Sequence, residues 1–235
     1  MGVSMSRRWY PQEIIAGDID SGRYEKKTID FLRSVYEPGG GTFRVAEIGI
    51  WKGATSIEIA RLIGDRGELH LFDYADNVDA VLAGLTERGI TNAVGWGCTY
   101  KYLDSYNWGL KQLMEHRGTA PLFDYVYIDG AHTWAIDALA FFLCDALLKP
   151  GGYIDFDDYE WTLRGSSLDP AAVPETSDLY TEEQIDDQQV KAIVDLLVKP
   201  RPDYQEVVPN RIFQKSERSK GQTGSWLRSR ISRLR

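Results

Sequence analysis

Cysteine is scarce in this chain, with two among 235 residues. Cys98 and Cys144 both fall in apolar stretches, which argues against a disulfide framework and for a cytoplasmic setting. Long apolar runs are also missing. No eighteen-residue hydrophobic span occurs, and no apolar signal region follows a basic start, so neither stable membrane insertion nor secretion is expected. An overall excess of positive charge is absent too: 27 Lys+Arg face 35 Asp+Glu, for a formal net charge of −8. That balance argues against a nucleic acid partner, which needs a basic surface. The one basic stretch is the end, where residues 216–235 read as a flexible tail with Glu217 as its single acid.

The length suits one α/β domain over residues 1–215, which includes an N-terminal extension over 1–24. EKKTIDFLRSVY (25–36) has apolar residues at helical spacing, and TFRVAEIGI then reads as a buried strand. Helix and strand patterns alternate from there: TSIEIARLIG, ELHLFDY, NVDAVLAGLTERG, a weaker strand over 93–98, YNWGLKQLMEHRG, FDYVYID, TWAIDALAFFLCDALL, and YIDFDD after KPGG. This alternation predicts βαβ units with right-handed crossovers and a largely parallel sheet covered on both faces. Residues 160–180 are acidic and Pro-containing, and read as a lid-like insertion over the strand ends. QIDDQQVKAIVDLLV reads as one helix, and YQEVV with RIFQK as a closing hairpin.

Ligands of such sheets bind at the carboxyl ends of the strands, and there the acids gather. Asp129-Gly130-Ala131-His132 follows FDYVYI, and Asp157-Asp158 follows GGYIDF. If those strands are neighbours, three carboxylates and an imidazole converge, which is a divalent cation site with a base beside it. Between the first strand and its helix lies Glu47-Ile48-Gly49-Ile50-Trp51-Lys52-Gly53. Its glycines permit a sharp turn and close ligand approach. It fails the dinucleotide fingerprint G-x-G-x-x-G, whose first and third glycines would be Glu47 and Lys52. An acid there would repel a pyrophosphate and suits a ligand with positive charge, such as S-adenosylmethionine with its sulfonium and ammonium. Asp73 ends the second strand, where a carboxylate can accept from both ribose hydroxyls.

Taken together, E-I-G-x-x-x-G, the acid of LHLFDY, YIDGAH and KPGGYIDFDDY resemble the class I S-adenosylmethionine-dependent methyltransferases, most closely the metal-dependent sugar O-methyltransferases. The resemblance spans about residues 43–160. It implies a Rossmann-like, mostly parallel seven-stranded sheet with a C-terminal antiparallel hairpin. It places the methionine part of the cofactor on Glu47, Gly49 and Gly53, the ribose on Asp73, and the adenine near Cys98 and Thr99. It assigns Mg²⁺ to Asp129, Asp157 and Asp158, with Asp129 also at the cofactor's edge, and the general base to His132. The implied acceptor is a sugar hydroxyl of a glycan, a polysaccharide precursor or a glycosylated natural product, with a catechol- or caffeoyl-type phenol as the alternative. A homo-oligomer, in the simplest form a dimer, is also implied. Trp161 and the insertion behind it are expected to wall the acceptor site.

Overall fold

Strand formation here follows the placement of β-branched and aromatic residues between turn-forming glycines and prolines. The computed structural model describes residues 23–38 and 41–217; the expected extension, apart from its last two residues, and nearly all of the basic tail lie outside the described residues. Helix α1 (Lys26–Val35) is capped by Glu25, whose carboxylate accepts the Lys27 amide. The chain then runs through β1 (Phe43–Ile48), α2 (Ala54–Ile63), β2 (Gly67–Tyr74), α3 (Ala75–Glu87), β3 (Ala93–Cys98), α4 (Tyr106–Arg117), β4 (Phe123–Ile128), α5 (Trp134–Leu147) and β5 (Leu148–Phe156). Short helices α6 (Thr176–Leu179), α7 (Glu182–Asp186) and α8 (Gln189–Ile193) precede the hairpin of β6 (Tyr204–Val208) and β7 (Ile212–Lys215).

The sheet order is β3-β2-β1-β4-β5-β7-β6. The first five strands pair in parallel, while β7 is antiparallel to both β5 and β6. Period-two alternation splits the buried side chains into two layers. Val45, Leu69, Tyr125 and Tyr127 pack with Ile29, Leu32 and Ile57 on one face. Ala46, Ile48, Phe72, Phe156 and Phe213 pack with Leu110, Phe141 and Ile193 on the other. The sheet is therefore covered on both sides, as parallel strands require. No described helix is long and apolar enough to cross a membrane.

Two boundaries differ from the sequence reading. Strand β5 begins at Leu148 rather than at Tyr153, because Pro150-Gly151-Gly152 bulges out between the pairs Phe123↔Leu148 and Tyr125↔Tyr153, with Gly151 at φ +81°. The helix expected over 184–198 is broken. A capping box between Thr181 and Gln184 starts α7, Asp187 turns extended after two successive acids at the helix end, and Gln189 bonds back to the Gln184 carbonyl. Acids at a helix C-terminus oppose its dipole. The chain then restarts as α8 and widens into a π-helical turn, Val194–Val198.

Candidate active site

At the carboxyl edge of the sheet, three backbone bonds lace four neighbouring strands together. Gly49 N donates to Phe72 O (2.8 Å), Asp129 N to Ile48 O (2.8 Å), and Asp157 N to Ile128 O (3.0 Å). The loops after β2, β1, β4 and β5 are thus held side by side. A Cβ on Gly49, where φ is +83°, would lie 2.0 Å from the Asp129 carbonyl oxygen. Glycine at 49 is required for the two loops to meet, a sharper reason than ligand approach. Gly53, at φ +74°, starts α2, and a Cβ there would strike Val81 at 2.6 Å.

Asp73 closes this loop. Its Oδ2 accepts the Ile50 and Trp51 amides (2.8 and 3.1 Å), and its Oδ1 accepts the Tyr74 amide and Asn77 Nδ2 (2.6 and 3.0 Å). Burial nonetheless raises its pKa, the four donors opposing the shift. Glu47 is different. It is 1% exposed, and its Oε2 has no hydrogen-bond partner. Burial pushes its carboxyl up to about 8; the Ser56 hydroxyl opposes the shift and the Asp73 charge adds to it. A buried carboxylate with an unpartnered oxygen is costly unless a cation or donor arrives.

Glu47 and Asp73 line one end of a cavity of about 420 Å³, within the range of roughly 300–1,000 Å³ typical of small-molecule sites. Its wall continues over Gly49, Cys98, Asp104 and Tyr106 to Asp129, His132 and Trp161. Here His132 Nε2 lies 3.6 Å from Asp129 Oδ1 and 3.7 Å from Asp158 Oδ2. The ligating atoms of Asp129, His132 and Asp158 come close enough together to hold a cation. Burial raises Asp129 well above the usual carboxylate range, and the charges of Asp157 and Asp158 push it further. Burial also raises Asp158; His132 opposes that shift and the Asp157 charge adds to it. His132 (φ +54°), Asp158 (φ +54°) and Trp51 (φ +46°) all adopt the left-handed backbone region, as does Asn210 on the hairpin. Such strain in non-glycine residues concentrates where a site fixes its side chains.

The structure does not bring the Asp157 carboxylate into this group. Its Oδ1 accepts from Arg211 Nη1 (2.9 Å) and the Asp158 amide (2.9 Å), and its Oδ2 accepts from Tyr127 Oη (2.6 Å). The same phenol lies 3.0 Å from Asp129 Oδ2. Behind the Asp129–His132 loop, Tyr106 Oη accepts the Ala131 amide (3.0 Å) and donates to the buried Asp137. The imidazole of His132 packs on Trp161, with ring centroids 4.9 Å apart. His70, by contrast, is a buried strand residue bonded to Glu68 (2.6 Å) and Trp96 (3.1 Å).

Of the residues singled out in the sequence, Glu47, Gly49, Asp73, Cys98, Asp129 and His132 line the cavity; Gly53, Thr99, Asp157 and Asp158 are not among its described lining. Thr99 instead bonds Asp104 through its amide (2.8 Å) and hydroxyl (2.6 Å). Tyr74, Asp104, Ser105, Ile136, Ser167 and Leu168 also line it and were not anticipated individually, although Trp161 and the insertion were.

A sheet of this order, with a glycine turn after its first strand and an acid closing its second, defines the class I methyltransferase fold. Residues 46–159 match the family model described as a methyltransferase domain. The chain is similar to the O-methyltransferase from Bacillus cereus in complex with SAH, at 18% identity over 86% of each chain with a TM-score of 0.56. It is also similar to the O-methyltransferase TomG from Streptomyces achromogenes, involved in tomaymycin synthesis and in complex with SAM, at 19% identity over 82% of this chain and 79% of that one (TM-score 0.53). The SAH-bound methyltransferase PaMTH1 from Podospora anserina matches at 16% identity over 82% and 77% of the two chains (TM-score 0.52). No curated protein matches the chain by sequence. The chain thus has the class I methyltransferase fold, and its residues 46–159 match a methyltransferase domain.

Proposed function

We propose that the chain moves a methyl group from S-adenosylmethionine to a hydroxyl oxygen of a sugar. The observation that carries this reading is one cavity lined by Glu47, a buried carboxylate whose Oε2 has no partner, and by Asp129 and His132, beside which Asp158 completes a group able to hold a cation. The residues fit the cofactor: Glu47 lacks the cationic partner that an ammonium would provide, and the Gly49–Asp129 contact leaves the loop no side chain at that point. Asp73 shapes the loop, and ribose hydroxyls would reach its Oδ1 by displacing Asn77. When bound, the cofactor supplies an electrophilic methyl group on a sulfonium. Two of the similar structures hold SAH and one SAM, in keeping with this assignment.

The acidic group also fits a divalent cation. Asp129 Oδ1 and the Asp158 carboxylate accept no hydrogen bond from the described residues beyond their approach to His132, and hard cations take such oxygens. Mg²⁺ held by Asp129 and Asp158 would stabilise negative charge developing on an acceptor oxygen. His132 accepts the hydroxyl proton. Tyr106 and Asp137 hold the loop that carries both groups, so orientation is supplied by buried bonds rather than by the exposed surface. Trp161 beside His132 offers an aromatic face to the C–H surface of a sugar ring.

The test is conversion of S-adenosylmethionine to S-adenosylhomocysteine with panels of sugars, glycosides and catechols, with and without EDTA. Mg²⁺-dependent turnover of sugars is expected. Turnover of catechols alone replaces the sugar by a phenol, and undiminished turnover in EDTA removes the cation.

A further inference from the structure

Arg211 lies on the hairpin, opposite the end of β5, and its guanidinium reaches three elements. Nη1 donates to Asp157 Oδ1 at 2.9 Å, and Nη2 donates to Thr28 Oγ1 on α1 at 2.9 Å. Nε lies 3.0 Å from Asp155 Oδ1, and Nη2 lies 3.4 Å from Glu25 Oε1. Only 12% of the side chain is exposed. Asp155 is fully buried and also accepts from Thr28 Oγ1 (2.6 Å) and Tyr125 Oη (2.7 Å). A planar guanidinium can serve several oxygens at fixed angles, which an ammonium cannot.

The consequence lies in how acceptor sites are shared among the three acids of the chemical end. A carboxylate offers about four lone-pair sites. Asp157 has three filled by Arg211, Tyr127 and the Asp158 amide. Asp158 sits one residue further on, in the left-handed backbone region, and points to His132 instead. The phenol that bonds Asp157 also contacts Asp129, so Arg211 is linked to the cluster through one carboxylate and one hydroxyl.

We propose that Arg211 is a positioning residue that acts as an internal counter-cation: it ties Asp157 to the hairpin and to α1, reserves that carboxylate from the cation group, and thereby leaves Asp129 and Asp158 to hold the ion beside His132. This deepens the O-methyltransferase reading above and rests on it for its effect on turnover, but its binding consequence stands apart from activity. A merely structural arginine, once removed, would weaken cation binding as the fold loosens. An arginine that withholds a carboxylate would, once removed, strengthen it, because a third oxygen donor becomes available.

The experiment is titration of Mn²⁺ into the full chain with S-adenosylhomocysteine present, following free Mn²⁺ by electron paramagnetic resonance, with circular dichroism of each variant in parallel. Asp158→Asn should weaken binding tenfold or more, and Asp157→Asn by less than about threefold. Arg211→Met should bind Mn²⁺ several-fold more tightly than the parent while methyl transfer falls at least tenfold. Arg211→Lys, which keeps the charge but reaches fewer oxygens, should lose transfer too and serves if the Met variant does not fold. An Asp157→Asn loss equal to that of Asp158→Asn overturns the proposal, as does weaker Mn²⁺ binding by a folded Arg211→Met or, if that variant does not fold, by Arg211→Lys. If the parent binds no Mn²⁺ and Arg211→Met does, Arg211 withholds Asp157 as proposed, but the assignment of an ion to Asp129 and Asp158 in the parent falls. If neither binds, both fall.

Discussion

Glu47 is the residue whose environment is most at odds with its chemistry. It is a carboxylate 1% exposed, raised by burial to about 8 and lacking a partner at Oε2. A cationic ligand should draw off its proton, so cofactor binding below pH 8 releases a proton and affinity rises from pH 6 to pH 8. Calorimetric titration of S-adenosylhomocysteine, which keeps the ammonium, in buffers of different ionisation enthalpy measures this directly. Glu47→Gln should flatten the slope and weaken binding; an unchanged slope in that variant would assign the proton elsewhere. His132 makes a second prediction at this scale. His132→Ala removes the proton acceptor without touching Glu47 or Asp73, so turnover should drop about 10²-fold or more while cofactor affinity stays within about twofold. A parallel loss of cofactor affinity would mean that His132 supports the loop rather than the proton transfer.

Among the elements, the loop after β1 and the loop after β4 are fitted to each other at Gly49, where a methyl group would overlap the Asp129 carbonyl. Gly49→Ala must push the loops apart and also strain a backbone at φ +83°. A loss of about 2 kcal/mol or more in denaturant unfolding is expected, together with loss of cofactor binding; retention of parental affinity would show that the loops can separate freely. This contact also marks what the sequence reveals. The alternation of helix and strand, the glycine turn and the acids at 47, 73, 129 and 158 are local patterns, readable because period and spacing are set by neighbours along the chain. Three features were not. The bulge at Pro150-Gly151-Gly152 and the break after α7 depend on partners across the sheet and on the Gln189 side chain. The diversion of Asp157 depends on Arg211, 54 residues away in sequence. In sequence Asp157 and Asp158 are indistinguishable; only the hairpin separates their roles.

Over the whole molecule, several carboxylates are buried on the same edge, and the sign of their effect on stability can be worked out. Glu47 moves from a reference of 4.5 to about 8, and Asp155 from 3.8 to about 6, burial being the first cause in both. The folded chain therefore holds protons that the unfolded chain has lost. Their contribution is fully present below the reference values and disappears as pH rises through 6 and then 8. The ligand-free chain should melt at a higher temperature at pH 6 than at pH 8, with the difference reduced when Mg²⁺ and S-adenosylhomocysteine are added together. A ligand-free melting temperature that climbs from pH 6 to pH 8 would contradict this placement of the acids. The insertion contributes at the same scale: Leu163 and Thr176 are buried while Ser167 and Leu168 face the cavity, so 160–180 is part of the wall and not an appendage.

The hairpin that carries Arg211 has a consequence for the order in which the molecule is made. Strands β1 to β5, with every residue proposed to touch the cofactor or the proton, are complete by Asp158, yet the guanidinium that orients Asp157 belongs to a segment synthesised more than fifty residues later. Synthesis runs from the N-terminus, and a domain generally folds as a unit once its parts are present. Until the hairpin has emerged, Asp157 lacks its Arg211 partner and is free to join the other acids, and the cavity wall over 160–180 is made only after β5. The chemical end is finished last, when β7 pairs with β5 and takes that carboxylate away.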